Sequence, residues 1–323
     1  MKRNGLIWRG GKRVLLFRDA IKGLLMTPIV KYKPQWHAKL ESRRQKSDLI
    51  RKPDIINPIY FNEKMLYLKY FLYNKSPLVA KCYNKFEVRD YLIEKGCGDN
   101  LNELYGAWDT IDEIPWDSLP EEYVIKVANG YSGHVFKRSG QPFSKKEAAR
   151  RLKNAMYSSS HCFKISGDLF AYGTKQKIIC EKILRSSLGY VSPEDYKFYC
   201  FHGEPLYLKI MWNRYGVLDG LFCDAMYDIN LNERFDLAAE SMETPSSDII
   251  PICFSDMVKL AKKLSSDFPF VRVDFYVEND HPIFGELTFT PFYAQTVKSM
   301  NEMGELIRLD NIEYYKHLLG VKC

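Results

Sequence analysis

Arg272, Asp274 and Glu286 sit among the most apolar positions of "RVDFYVENDHPIFGELTFTP", residues 272–291. Two apolar runs separated by a short polar break predict a β-hairpin. Charged groups are costly to bury unless they are paired or bound to a metal. Arg272 and Asp274 are two apart, so strand alternation puts them on one face. Carboxylates facing each other across the hairpin would suit a hard cation such as Mg2+, which takes few carboxylates when substrate phosphates supply further oxygens. An Arg beside such a cluster stabilises charge on a transferring phosphoryl group. The alternative is a water-facing stripe whose charges pair across the strands.

Three further segments carry groups of this kind. In "YVIKVANGYSGHVF", Lys126 ends a β-branched run, and Gly130, Ser132 and Gly133 follow it. An ammonium and turn N–H groups placed together can hold phosphates. The segment lacks the GK[ST] of a Walker A loop, and a glycine hairpin with an exposed Lys is the alternative. "KIICEKIL" ends in Glu181 and Lys182, with Leu184 last. Its backbone would suit a purine edge, or it is an ordinary amphipathic strand end. "PEDYKFYCF" puts Asp195 and Lys197 on one strand face. Upstream, Lys85 and Arg89 lie four apart on one face of a predicted helix.

The elements that must position these groups alternate in type. Helices are predicted over 62–74, with Asn62 as N-cap, and over 84–96, stopped by Gly96. The stretch 104–122 reads as loop-rich and 123–128 as a strand. A helix over 144–157 has Ser144 as cap and Glu147 at capping-box spacing. A strand at 177–184, a strand pair within 195–216, a helix over 256–268, the hairpin and a helix over 301–320 follow. Interleaved helices and strand pairs give an α+β protein with substantial antiparallel sheet.

The chain has 323 residues, 46% hydrophobic and 14% aromatic, enough for a substantial core. Its eight Cys include no CxxC pair and read as buried thiols of a reducing compartment. No secretory signal is evident, and no apolar run approaches the ~18 residues of a membrane span. A cytoplasmic protein is expected. The net charge of +7 is uneven: residues 1–52 hold 15 Lys and Arg against 3 Asp and Glu, a net +12, which leaves −5 for the rest. Within this region "RVLLFRDAIKGLLM" (13–26) is amphipathic. It either lies on an anionic membrane surface or packs on the body. The stretch 27–59, with four Pro, reads as an extended connector.

Taken in order, "NKFEVRDYL", "LPEEYVIKVANGYSG", "KIICEKIL", "PEDYKFYCFHGEP" and "RVDFY…GELTFTP" resemble the ATP-grasp enzymes. The closest resemblance is to the TupA-like branch, named for teichuronopeptide biosynthesis, and it covers most of the chain after residue 60. It implies the ATP-grasp fold, two α+β subdomains clamping ATP, with a basic N-terminal helical extension. The implied division is 1–58 for that extension and 59–122 for a substrate-side region. The small subdomain would be 123–184 and the large one, with the metal site, 185–323.

By the same resemblance Arg89 is the first phosphate-binding cation and Lys126 the nucleotide-binding Lys before the phosphate loop of Gly130, Ser132 and Gly133. Glu181, Lys182 and Leu184 form the adenine hinge, Asp195 holds the ribose and Lys197 reaches phosphate. Arg272 is the transition-state Arg, and Asp274, Glu286 and Thr288 hold Mg2+. Three departures stand out. Asn84 occupies a usual Asp position, Thr288 a usual Asn position, and the loop carries the bulk of Tyr131 and His134.

The implied activity is ATP- and Mg2+-dependent amide formation between a uronic-acid sugar or sugar nucleotide and an amino acid or small amine. The basic N-terminus would contact a polysaccharide-synthesis complex or the inner membrane face, and nucleic acid is not a partner. The rivals are a glycosyltransferase using the carboxylates of "DAMYD" (224–228), an ATP-grasp kinase, and a non-catalytic glycan binder using the 22 Tyr and 5 Trp.

Overall fold

The computed structural model describes residues 21–44, 51–130, 133–172, 174–214, 223–234, 237, 245–291 and 303–321. The N-terminal stretch is helical where it is described: residues 21–32 (α1) and Pro34–Arg44 (α2). The extended connector expected over 27–59 is therefore corrected in its first half. Pro34 opens a helix here, because Pro is tolerated in a first turn.

Helices α3 (Phe61–Phe71), α4 (Pro77–Tyr83) and α5 (Val88–Glu94) come next. Asn62 is not the cap of α3. It lies inside the helix and is buried, and Tyr60 is the N-cap. Glu63, in the first turn, reaches back to accept from Ile59 N at 2.8 Å and Tyr60 N at 3.2 Å. The helix expected from residue 84 starts later. Asn84 Oδ1 accepts from Phe86 N and Glu87 N, which holds 84–87 as a turn.

A four-stranded antiparallel sheet has the order β1-β4-β2-β3, from β1 (Leu104–Trp108), β2 (Tyr123–Val127), β3 (Val135–Lys137) and β4 (Ile178–Glu181). Strand β1 falls where a loop was expected. Helix α6 (Lys145–Ser166), capped by Ser144, covers this sheet. Tyr123, Ile125 and Val127 point toward Leu152 and Ala155 in the shared core. Lys126, of opposite parity, points to the other face. Helix α6 runs nine residues past the expected 157 and ends at Gly167, with φ 82°. The short α7 (Leu169–Tyr172) follows.

The second sheet has the order β7-β6-β5-β8-β9, from β5 (Asp195–Phe201), β6 (Glu204–Trp212), β7 (Cys223–Asp228), β8 (Phe270–Glu278) and β9 (His281–Thr288). Two-residue turns close the β5–β6 and β8–β9 hairpins, His202–Gly203 and Asn279–Asp280, all four residues at positive φ. Such turns match the twist of the strands they join. Helix α8 (Phe254–Ser265) packs on one face, where Phe198 stacks on Phe254 with ring centroids 6.0 Å apart. The opposite face carries the charges. The final helix, α9, spans only Ile312–Leu318, shorter than expected. No helix among the described residues is long and apolar enough to cross a membrane.

Candidate active site

Strand register builds the first half of the site. Lys197 on β5 lies directly opposite Asp274 on β8, and Asp274 lies opposite Glu286 on β9. Two residues along, on the same face, Tyr199, Arg272 and Thr288 form a parallel row. Asp274 is buried and receives three cationic contacts. Lys197 Nζ is 2.7 Å from Oδ2, while Arg272 bonds it bidentately at 2.7 and 2.6 Å. A bulge after Asp274 leaves Gly285 without a partner across the ladder. A Cβ on Gly285 would lie 3.0 Å from the Asp274 carbonyl oxygen and 3.1 Å from the Tyr276 ring. The glycine therefore lets β9 turn Glu286 toward Asp274.

The four-stranded sheet supplies the second half. Lys126 Nζ bonds Glu181 Oε2 at 2.9 Å, and Arg89 approaches Glu181 Oε1 at 3.6 Å. Lys85 joins the halves. Its N–H donates to Ala128 O, its ammonium donates to Gly130 O at 2.8 Å, and it lies 3.7 Å from Glu286 Oε2. A cleft of about 180 Å3 separates the sheets, with Lys126 and Glu181 on one wall and Lys197 and Asp274 on the other. Small-molecule sites commonly measure ~300–1,000 Å3, and these cross-bonded side chains occupy part of the difference.

The charges tune one another. Partial burial would raise the Glu286 carboxyl, but Lys85, Arg272 and Lys197 overcome it and hold the pKa at about 2. Burial, reinforced by Lys126 and Lys85, pushes the His134 imidazole down to about 3. His134 is therefore neutral at physiological pH, and its buried Nε2 has no hydrogen-bond partner among the described residues. Asp195 is buried too. Its Oδ2 takes Lys197 at 2.6 Å and also Arg214, while Oδ1 has no partner among the described residues.

Residues 63–308 match the TupA-like ATPgrasp family. The chain belongs to that family. No curated protein matches it. Among solved structures it is similar to the D-alanine–D-alanine ligase of Helicobacter pylori, with 16% identity and a TM-score of 0.38, covering 71% of this chain and 60% of that one. It is also similar to the Bacillus anthracis D-alanine–D-alanine ligase complexed with ATP, with 15% identity and a TM-score of 0.41, covering 75% and 70%. A third is the L-amino acid ligase of Bacillus licheniformis, with 13% identity and a TM-score of 0.37, covering 65% and 41%. The chain thus spans less than two thirds of the first and third of these proteins. The family match decides the assignment, and with it the ATP-grasp fold.

Within this ATP-grasp frame, Arg89, Lys126, Glu181, Leu184, Asp195, Lys197, Asp274 and Glu286 all line one cleft. Ser132 lies outside the described residues. Gly133 has φ +85°, and a Cβ there would meet the Ala155 Cβ at 2.3 Å, so it seats the loop against α6. Lys182 turns away. Its ammonium bonds Glu278, its N–H donates to Glu103 O, and its carbonyl accepts from Asn102. Thr288 places its hydroxyl between two partners, accepting from Arg272 Nη2 and donating to Glu286, both at 3.0 Å. Thr290 donates instead to Asp168.

Asp274 and Glu286 fit a Mg2+ ion that draws its other oxygens from phosphates. Among the described residues no group of three or more His, Cys, Asp or Glu is placed to hold a metal alone. Arg214 lines the cleft and was missed in the sequence, where it follows β6 in no recognisable motif. Asn84 makes its turn with one side-chain atom and donates to Lys175 O with the other. An Asp there would lack that donor.

Proposed function

We propose that the protein is an ATP-dependent carboxylate–amine ligase that forms an amide through an acyl phosphate. Its carboxylate substrate would be a uronic acid of a bacterial surface polysaccharide or its precursor. The observation that carries this reading is the row of Lys197, Asp274 and Glu286, with Arg272 beside it, facing Lys126 and Glu181 across one cleft.

In this reading Glu181 and Leu184 border the base and Asp195 receives a ribose hydroxyl on its free oxygen. Lys126, Arg89 and Lys197 exchange their carboxylate partners for phosphate oxygens and hold the reactants in line. A substrate carboxylate oxygen attacks the γ-phosphorus. The bond to the bridging oxygen breaks, and ADP leaves with that electron pair. An amine nitrogen then attacks the acyl carbon, the C–O bond to phosphate breaks, and the nitrogen loses its proton. Arg272 stabilises the charge on the acyl phosphate and its tetrahedral adduct. Mg2+ at Asp274 and Glu286 would neutralise phosphate oxygens. The uronic-acid choice rests on the branch's association with surface polysaccharides.

The side chains of "DAMYD" work against the glycosyltransferase reading. Asp224 pairs with Lys209, and Asp228 accepts from Asn230 and Asn232 in its own turn. The test is a mass-spectrometric screen of UDP-uronic acids against amines with ATP and Mg2+. ADP and an amide are expected together. A stable phosphorylated product would assign a kinase, and no ADP from any carboxylate would overturn the ligase.

A further inference from the structure

Helices α1 and α2 bury one face against the body and leave a second apolar face outside. The buried side includes Gly23, Val30, His37 and Ala38, at near-helical spacing. The outer side carries Leu24 at 66% exposure, Leu25 at 61%, Tyr32 at 81% and Trp36 at 52%, with Ile21 beside them. Pro28, Ile29, Tyr32, Lys33 and Trp36 line one shallow hollow, so the patch is continuous across the break between the helices. The outer face of a helix on a water-surrounded protein is ordinarily polar. A contiguous exposed apolar patch marks an interaction surface.

Charge selects the occupant. Residues 21–44 hold six Lys and Arg against one acid, Glu41, and that acid is buried. Lys22, Lys31, Lys33 and Lys39 are exposed around the apolar residues. A second copy of this face would meet lysines with lysines, an arrangement that repels. An anionic surface meets them with opposite charge, while Tyr and Trp suit the boundary between headgroups and hydrocarbon. We infer that the outer face of α1 and α2 docks the protein on a bilayer surface rich in anionic lipid. Attachment is lateral, with the apolar residues entering the headgroup boundary and the lysines against the lipid phosphates. This inference does not rest on the reading of the ATP site.

The test is co-sedimentation of the full chain with phosphatidylcholine vesicles and with vesicles of phosphatidylcholine and phosphatidylglycerol in equal parts. Binding to the anionic vesicles is expected, about tenfold or more tighter than to the neutral ones, and weakened by salt. The variant Leu24→Glu/Trp36→Glu changes only exposed side chains of this face. It should bind anionic vesicles about tenfold or more weakly, with unchanged thermal unfolding. Equal binding by variant and parent would overturn the inference, because the basic charge alone would then suffice. So would failure of the parent to bind anionic vesicles. A parent dimer that the variant converts to a monomer, without vesicle binding, would assign the face to a second copy instead.

Discussion

Lys197 and Asp274 face each other across two neighbouring strands with Nζ 2.7 Å from Oδ2, and both are buried. The carboxylate also carries both bonds from Arg272. Asp274 is therefore a structural anion as well as a candidate metal ligand, whereas Glu286 has a side chain 41% exposed. The two carboxylates should separate on mutation. Asp274→Asn leaves two buried cations short of a partner and should cost about 3–5 kcal/mol of stability. Glu286→Gln should abolish turnover and cost less stability in urea unfolding than Asp274→Asn does. Equal destabilisation of both variants would contradict this division.

Arg272 should not tolerate Lys. A guanidinium binds Asp274 with two nitrogens and still reaches Thr288, and an ammonium cannot reproduce that fork. Arg272→Lys is expected to lower kcat about 10²–10³-fold, with ATP affinity changed only a few-fold. Steady-state kinetics together with nucleotide titration separates the two effects. An unchanged kcat would remove Arg272 from the reaction.

A buried pair away from the cleft should govern stability. Lys69 bonds Asp168 at 3.0 Å and Ser166 O at 2.7 Å, tying α3 to the end of α6. Ser166 and Thr290 both donate to Asp168. Asp168→Ala should cost about 3–5 kcal/mol by urea unfolding. Asp256→Ala, which breaks the exposed pair with Lys259, should cost under about 1 kcal/mol.

His134 gives a pH dependence of fixed sign. Its pKa in the folded protein is about 3, below the ordinary 6.5. Below pH 6.5 the unfolded chain takes up a proton that the folded one refuses, so unfolding gains ground as pH falls from 6.5 toward 3. His134→Gln should flatten that part of the stability curve. Identical slopes for parent and variant between pH 6.5 and 4 would show that His134 is not held neutral.

Much of this site was legible because β-strand parity is a strong rule. Spacing alone put Arg272 with Asp274 and Asp195 with Lys197, and the hairpin put Glu286 near them. Long-range register was not legible. Nothing local says that Lys197 meets Asp274 across β5 and β8, or that Glu181 lies between Lys126 and Arg89. Strand β1 was missed because it is a half-buried edge strand holding Gly106, and its partner β4 lies far along the chain. The end of α6 was missed because "SSSHCFKIS" has weak helix propensity, and packing overrides it. For Thr288 the sequence posed the question of whether a hydroxyl replaces an amide. The structure gives that hydroxyl a place between Arg272 and Glu286.

Lys85 touches the loop after β2 at Gly130 and strand β9 at Glu286 with one ammonium. A single flexible side chain thus belongs to two binding events. A cation that draws Glu286 away from Lys85 changes the hold on the loop, and a phosphate that captures Lys85 changes the charge felt by Glu286. Such coupling is reciprocal by thermodynamic necessity. Metal should alter nucleotide affinity by the same factor as nucleotide alters metal affinity, and Lys85→Met should shrink both factors together.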